Sequence, residues 1–254
     1  MTIQYASDLH FEFSETSKFL AEHPMQPVGE VLVLAGDIDC LDEGGYPDRP
    51  FWDWASDNFE MVLVVPGNHE YYGGFDISRQ EKEKCVPIRK NVFLWNNHVI
   101  TVDGVEFVLT TLWSSIRPFS SNSIERFVSD YRRITYDGQR FTAKIANECH
   151  QRSIGFLKAA FEKPKIGKRV VVTHHVPSLT MMADEFVGSI LNDAFVSDLD
   201  ELIYDSNADV WIFGHSHRNL KSTRIGSTLL CTNQLGYVGL GEHGSFSSLC
   251  TFKL

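Results

Sequence analysis

Five runs of branched or long apolar side chains punctuate the chain, at Ile3–Ala6, Val31–Ala35, Met61–Val65, Arg169–Thr173 and Asp209–Phe213. None carries the three-to-four spacing of an amphipathic helix. Short continuous apolar runs of this kind predict strands buried on both faces. Further strands are predicted at Val92–Trp95, Val99–Val102 and Val105–Thr111, the last two joined by the strong hairpin turn Asp103-Gly104. The end of the chain reads as antiparallel strands, Leu220–Ile225, Thr228–Thr232 and Ser247–Phe252, the first two joined at Gly226-Ser227.

Between these strands the period changes. Gly44-Gly45, Pro47 and Pro50 mark a loop over 41–50, followed by a short aromatic helix at Phe51-Trp-Asp-Trp54. Another helix is predicted from Asp76 to Lys84. In the middle third, Ile124, Phe127, Val128, Tyr131 and Ile134 fall at helical spacing, as do Ile145, Cys149, Phe156 and Ala160 after a turn at Asp137-Gly138. This predicts a helical insert over about 114–162. Ser197-Asp-Leu-Asp200 resembles a capping box opening a helix through Ile203. With no internal repeat, low-complexity tract or linker, residues 1–254 read as one α/β domain.

The residues just past each buried-type strand carry the chemistry. Asp8 and His10 form a D-x-H pair, Gly36-Asp37 a G-D pair, Gly67-Asn-His-Glu70 a G-N-H-E element, His174-His175 a doubled histidine, and Gly214-His-Ser-His217 a G-H-x-H element. In an open sheet with several parallel strands the carboxyl ends line one edge, so Asp8, His10, Asp37, Asn68, His69, His174, His215 and His217 are predicted to converge in one crevice. Mixed nitrogen and oxygen donors suit manganese, iron or zinc better than calcium or magnesium. Adjacent residues of an extended chain point to opposite sides, so one of His174 and His175 faces the ion and either is a candidate. Asp39 admits two readings, orienting a histidine or capping the next turn.

Composition and charge narrow the field. The formal net charge of −10 argues against broad, salt-driven binding to nucleic acid or anionic membrane. No stretch reads as a leader or a membrane span, so a cytoplasmic location is expected. The five cysteines are odd in number with no C-x-x-C pair, which predicts reduced and mostly buried thiols. From Ser114 to Arg152 seven basic residues face four acidic ones, a local +3 that fits either a lid over an anionic substrate or an ordinary solvated helix face.

The ordered succession D-x-H, G-D, G-N-H-E, H and G-H-x-H, spanning residues 8–217, resembles the calcineurin-like metallophosphoesterases. The resemblance implies a sandwich of two mainly mixed sheets flanked by helices (a four-layer αββα fold) and a site for two divalent metal ions. It implies that Asp8, His10 and His217 hold the first ion, Asn68, His174 and His215 the second, that Asp37 bridges them, and that His69 is the catalytic histidine that is not a ligand. Two ions about 3.5–4 Å apart share a water, lower its pKa and aim the hydroxide at phosphorus. The expected activity is therefore hydrolysis of a small-molecule phosphate monoester or diester, with His69 assisting the leaving group. A nuclease and a non-catalytic scaffold of the same fold remain alternatives, the scaffold disfavoured because Asp37 and His69 are both present. Substrate, physiological metal and oligomeric state are not written in the sequence.

Overall fold

The computed structural model describes residues 1–41, 45–83 and 85–254; Gly44 of the expected loop and Lys84 of the expected helix lie outside them. The first sheet comprises β1 (Thr2–Ala6), β2 (Val31–Leu34), β3 (Met61–Val64), β4 (Cys85–Arg89), β5 (Val92–Trp95) and the last strand, Thr251–Lys253. The second comprises β6 (His98–Val102), β7 (Val105–Thr110), β10 (Lys168–Thr173), β11 (Val210–Phe213), β12 (Thr223–Ile225) and β13 (Thr228–Thr232). A separate ribbon pairs β8 (Thr135–Tyr136) with β9 (Gln139–Arg140), and Thr251–Lys253 is β14.

The sheet orders are β14-β1-β2-β3-β5-β4 and β12-β13-β11-β10-β7-β6. In the first, β1, β2, β3 and β5 run parallel between antiparallel edges; in the second, β7, β10, β11 and β13 do so. Strand alternation explains why both faces are apolar. Val31, Val33 and Leu63 pack against Phe107, Val170, Val172 and Ile212 between the sheets, while Leu32, Leu34, Val62 and Val64 face outward. Helices α1 (Ser14–Glu22) and α2 (Pro50–Asn58) cover that outer face with Leu20, Trp52 and Ala55. After α3 (Ile77–Glu83), α4 (Pro118–Phe127) and α5 (Asp130–Arg133), α6 (Ala143–Phe161) and α7 (Asp200–Asp205) place Leu157, Ala160 and Ile203 on Val108, Val171 and Trp211 of the second sheet. The result is a sandwich of two mixed sheets with helices on both outer faces, as the motifs implied.

Several local expectations differ. The helical spacing from Ile124 to Ile134 is broken: α4 stops at Phe127, Val128 is extended, and α5 is a single turn. Phe127, expected on the packed face, is 60% exposed. The supposed capping box does not form, because the Ser197 hydroxyl accepts from Ser115 N (3.1 Å) and α7 starts only at Asp200, after Leu199. The final strand is shorter than Ser247–Phe252 and lies in the other sheet, where Thr251–Lys253 pairs antiparallel with β1. Ser247 and Ser248 instead spend their carbonyls on the Asn233 and Gln4 amides (2.9 Å each). Of the free cysteines only Cys149 and Cys231 are buried, so the thiols are less enclosed than expected. Among the described residues no helix is long and apolar enough to cross a membrane.

Candidate metal centre

The parallel strands of both sheets end at one edge, and the backbone there is contorted. Asp8, His10, Asp37, His215 and His217 all have φ between 49° and 77°, the left-handed region that costs a side chain energy. They make up five of the eleven such non-glycine residues among those described, a concentration that points to a site and not to ordinary turns. The glycines of the motifs serve close approach. A Cβ on Gly67 would overlap Asp37 Oδ1 and the His174 ring, and one on Gly214 would sit 2.6 Å from Asp8 Oδ2. Gly67 is needed for space and does not have a left-handed φ.

Two groups of donors result. Asp8, His10, Asp37 and His217 form the first; Asp37, His174 and His215 form the second, and within each the nearest donor atoms lie within 4.8 Å of one another. His10 Nε2 and His217 Nε2 are 2.9 Å apart, and His217 Nε2 is 3.4 Å from Asp8 Oδ1. His174 Nε2 is 3.1 Å from His215 Nδ1 and 3.0 Å from Asn68 Oδ1. Asp37 belongs to both groups, with Oδ2 lying 3.4 Å from His174 Nε2 and 3.9 Å from His10 Nε2. Of the doubled histidine, His174 enters the cluster. His175 instead packs on the His215 ring at 4.0 Å with Nδ1 on Thr111 O.

Every one of these four imidazoles has its other nitrogen engaged by an oxygen. His10 Nδ1 meets Glu12 Oε1 at 2.9 Å, His217 Nδ1 meets Glu242 Oε2 at 2.7 Å, His174 Nδ1 meets Ala35 O at 2.8 Å, and His215 Nε2 meets Ala194 O at 3.3 Å. An imidazole that donates on one side presents a bare lone pair on the other, which is how metal-binding histidines are oriented. Asn68 is aligned likewise. Its Nδ2 donates to Asp130 Oδ1 (2.9 Å), which turns Oδ1 toward His174. Lone pairs and carboxylate oxygens facing one another in a buried space need a cation between them, so the donor set fits a pair of divalent ions. The electrostatics agree. Burial would raise the Asp37 carboxyl, but His174, His69 and His10 outweigh it and hold it well below the usual carboxylate range. Against the lowering effect of burial, carboxylates raise His174 to about 9 and His217 to about 10.

Residues 1–219 match the family model described as calcineurin-like phosphoesterase. The chain belongs to the calcineurin-like phosphoesterase family. Its fold and its clustered donors are those of a metal-dependent phosphohydrolase. An uncharacterized protein, L509, of Acanthamoeba polyphaga mimivirus is 29% identical over 260 residues, covering 92% of this chain and 91% of that one. Among solved structures, the phosphopantetheinyl hydrolase of Mycobacterium tuberculosis superposes with a TM-score of 0.74 at 18% identity, covering 98% of this chain and 94% of its own. A dimetal phosphatase from Danio rerio gives 0.50 at 13%, covering 92% and 87%. At these identities the two structures speak for the fold.

Around this phosphoesterase's donors stand His69 and Glu70 of the G-N-H-E element, together with Glu12, Tyr72 and Tyr237, which the motifs did not reveal. His69 is buried, donates its backbone N–H to Asp37 Oδ1 (2.8 Å), stacks on Tyr72 (4.1 Å between centroids) and has Nδ1 2.6 Å from Glu12 Oε1. Its Nε2 is 3.1 Å from the Tyr237 hydroxyl. Burial would lower the His69 pKa, but Asp37 and Glu12 raise it above the ordinary value. His10, Glu12 and His69 are also close enough to hold an ion, yet one carboxylate oxygen between two imidazole Nδ1 atoms is already served by their protons. Glu70, the last member of G-N-H-E, is fully buried and accepts from the backbone N–H of Asp37, Ile38 and Gly67 at 2.7–2.9 Å, clamping the ends of β2 and β3 together. Burial, and then Asp37, push its carboxyl up to about 8. Asp39 accepts from Cys40 N and the Arg49 guanidinium, and no histidine is bonded to it among the described residues.

Proposed function

We propose that this chain hydrolyses a small phosphoester with two divalent ions. In this reading Asp8, His10 and His217 would hold one ion and Asn68, His174 and His215 the other, Asp37 would be shared between them, and residues 1–254 work as one catalytic unit. The carrying observation is that four imidazoles, each engaged by an oxygen on its far nitrogen, turn their remaining lone pairs onto Asp37 and its neighbours. When bound, the ions would supply a water of lowered pKa and draw the phosphoryl oxygens between them. The donor set favours manganese, iron or zinc.

The remaining work falls to the chain. A cleft of about 310 Å³ is lined by Asp37, Asn68, His69, Tyr72, His215 and Tyr237 and receives Val128 and Asp130 from the helical insert. The break between α4 and α5 matters here, because it delivers the buried Asp130 carboxylate to Asn68 and the Tyr72 hydroxyl. Glu12 accepts a hydrogen bond from His69 Nδ1–H, leaving Nε2 toward Tyr237 and the cleft. From there His69 gives a proton to the departing oxygen, a role that its raised pKa favours. Arg133, held over the Tyr72 ring at 4.5 Å, adds positive charge near the cleft and draws an anionic substrate toward an acidic protein.

The direct test is turnover of an aryl phosphate and its bis-aryl diester after chelation and reloading with manganese, iron or zinc. Activity restored by metal supports the reading, and indifference to chelator contradicts it. Two further outcomes are expected. Glu242→Gln, which offers the His217 Nδ1–H a weaker acceptor, lowers ion affinity about 10–100-fold, as seen by competition with a fluorescent chelator; unchanged affinity would argue that Glu242 does not orient a ligand. Because the ion-free site keeps His174 and His217 protonated up to about 9 and about 10, ions must displace those protons. Affinity should therefore rise with pH across the neutral range, with about two protons released per chain at pH 7, measured by calorimetry in buffers of different ionisation enthalpy.

A further inference from the structure

Beside the cleft lies a second cavity of about 280 Å³, formed by the segment between β10 and α7. Phe186, Leu191, Phe195 and Ser216 face both spaces, so the two adjoin through a shared wall. Among the described residues, no charged side chain lines this cavity. Its remaining surface is largely apolar, with Val176, Met182, Ala183 and Val196 among its walls. Its polar side chains have partners in the protein: Asn192 Nδ2 donates to Phe186 O (2.6 Å), Ser189 Oγ accepts from Leu191 N (3.2 Å), and Ser216 Oγ accepts from Gln234 Nε2 (3.1 Å). A largely apolar pocket without charged groups, whose polar side chains already have partners, selects an apolar guest.

Its position fixes what that guest is attached to. Phe195 stacks on the His215 ring (4.9 Å, 26°), and Ala194 O takes His215 Nε2, so the cavity wall is tied to the second donor group. His69 stands at the other group, its ring 4.5 Å from that of His10. We propose that this cavity receives an apolar alkyl or aryl arm of the substrate, so that the enzyme prefers phosphoesters carrying a short hydrophobic substituent over those of small polar alcohols. This rests on the phosphoesterase reading of the adjoining cleft and extends it to the substrate's organic part.

The test uses binding, so that it does not depend on turnover. Inorganic phosphate and the methyl, butyl and hexyl phosphonates are titrated calorimetrically into the manganese-loaded protein. Burying each methylene gives about four-fold in affinity, so butyl should exceed methyl roughly fifty-fold. In Ala183→Phe, which fills the cavity, the butyl-to-methyl ratio should fall toward one, and Met182→Gln, which makes its wall polar, should lower it several-fold. Equal affinities for methyl and hexyl phosphonate in the unaltered protein overturn the inference while leaving the phosphoesterase reading intact. A chain-length preference that survives in both folded variants also overturns it, since the arm then sits elsewhere. Failure of phosphate and every phosphonate to bind the loaded protein strikes instead at the phosphoesterase reading.

Discussion

Asp37→Asn should fall from two bound ions per chain to one or none and lose turnover on the order of 10³-fold or more. The substitution keeps size and shape, and its carbonyl still accepts the His69 N–H now bonded to Asp37 Oδ1. What it removes is the charge common to both donor groups and the oxygen that faces His174 and His10. Metal centres supply several kcal/mol of charge stabilisation in such reactions, and each ~1.36 kcal/mol is a factor of ten. Elemental analysis of the dialysed variant, beside its turnover of an aryl phosphate, reads both consequences. Two ions retained together with near-normal turnover would remove Asp37 from the bridging role.

His69→Ala should behave in the opposite way, keeping its ions and losing turnover about 10²–10⁴-fold. The loss should depend on the leaving group. It is large for an alkyl phosphate, whose alkoxide needs a proton, and small for a nitrophenyl ester, whose phenolate does not. The pH profile gives a second reading. A proton donor acts only while protonated, so activity carried by His69 is present below its raised pKa and falls as pH climbs through it. That alkaline limb should vanish in the variant. An equal loss for both leaving groups, with the limb unchanged, would mean that His69 serves the fold or the ions instead.

The parts of this site that were legible share a property: they are local. An apolar run followed within a few residues by Asp, Asn or His is visible in one stretch, and Asp8, His10, Asp37, Asn68, His174, His215 and His217 all come together at one edge as expected. The residues that orient them arrive from elsewhere. Glu12 reaches His10 from the turn before α1, Glu242 reaches His217 from the start of a short 3-10 helix (Glu242–Ser245), and Asp130 comes through a helix break that the spacing of Ile124, Val128 and Tyr131 conceals. No periodicity marks such residues, because they answer to tertiary neighbours. The edge strand β4 was equally hard to see, although the edges β6 and β12 were expected. β4 contains Pro87 and has a shifted register there, tolerable at a sheet edge and unlike the branched runs of the interior. That His174, the member of the pair named by the resemblance, enters the donor cluster while His175 does not shows only in the folded chain, since both follow the same strand.

Crystals of the protein soaked in manganese and measured at the metal's absorption edge would decide whether this end of the sandwich holds a pair of ions. Two anomalous peaks are expected on either side of the Asp37 carboxylate, one contacting Asp8, His10 and His217 and the other Asn68, His174 and His215. A map with no peak there, or a single peak held by His10, Glu12 and His69, would contradict the two-ion centre.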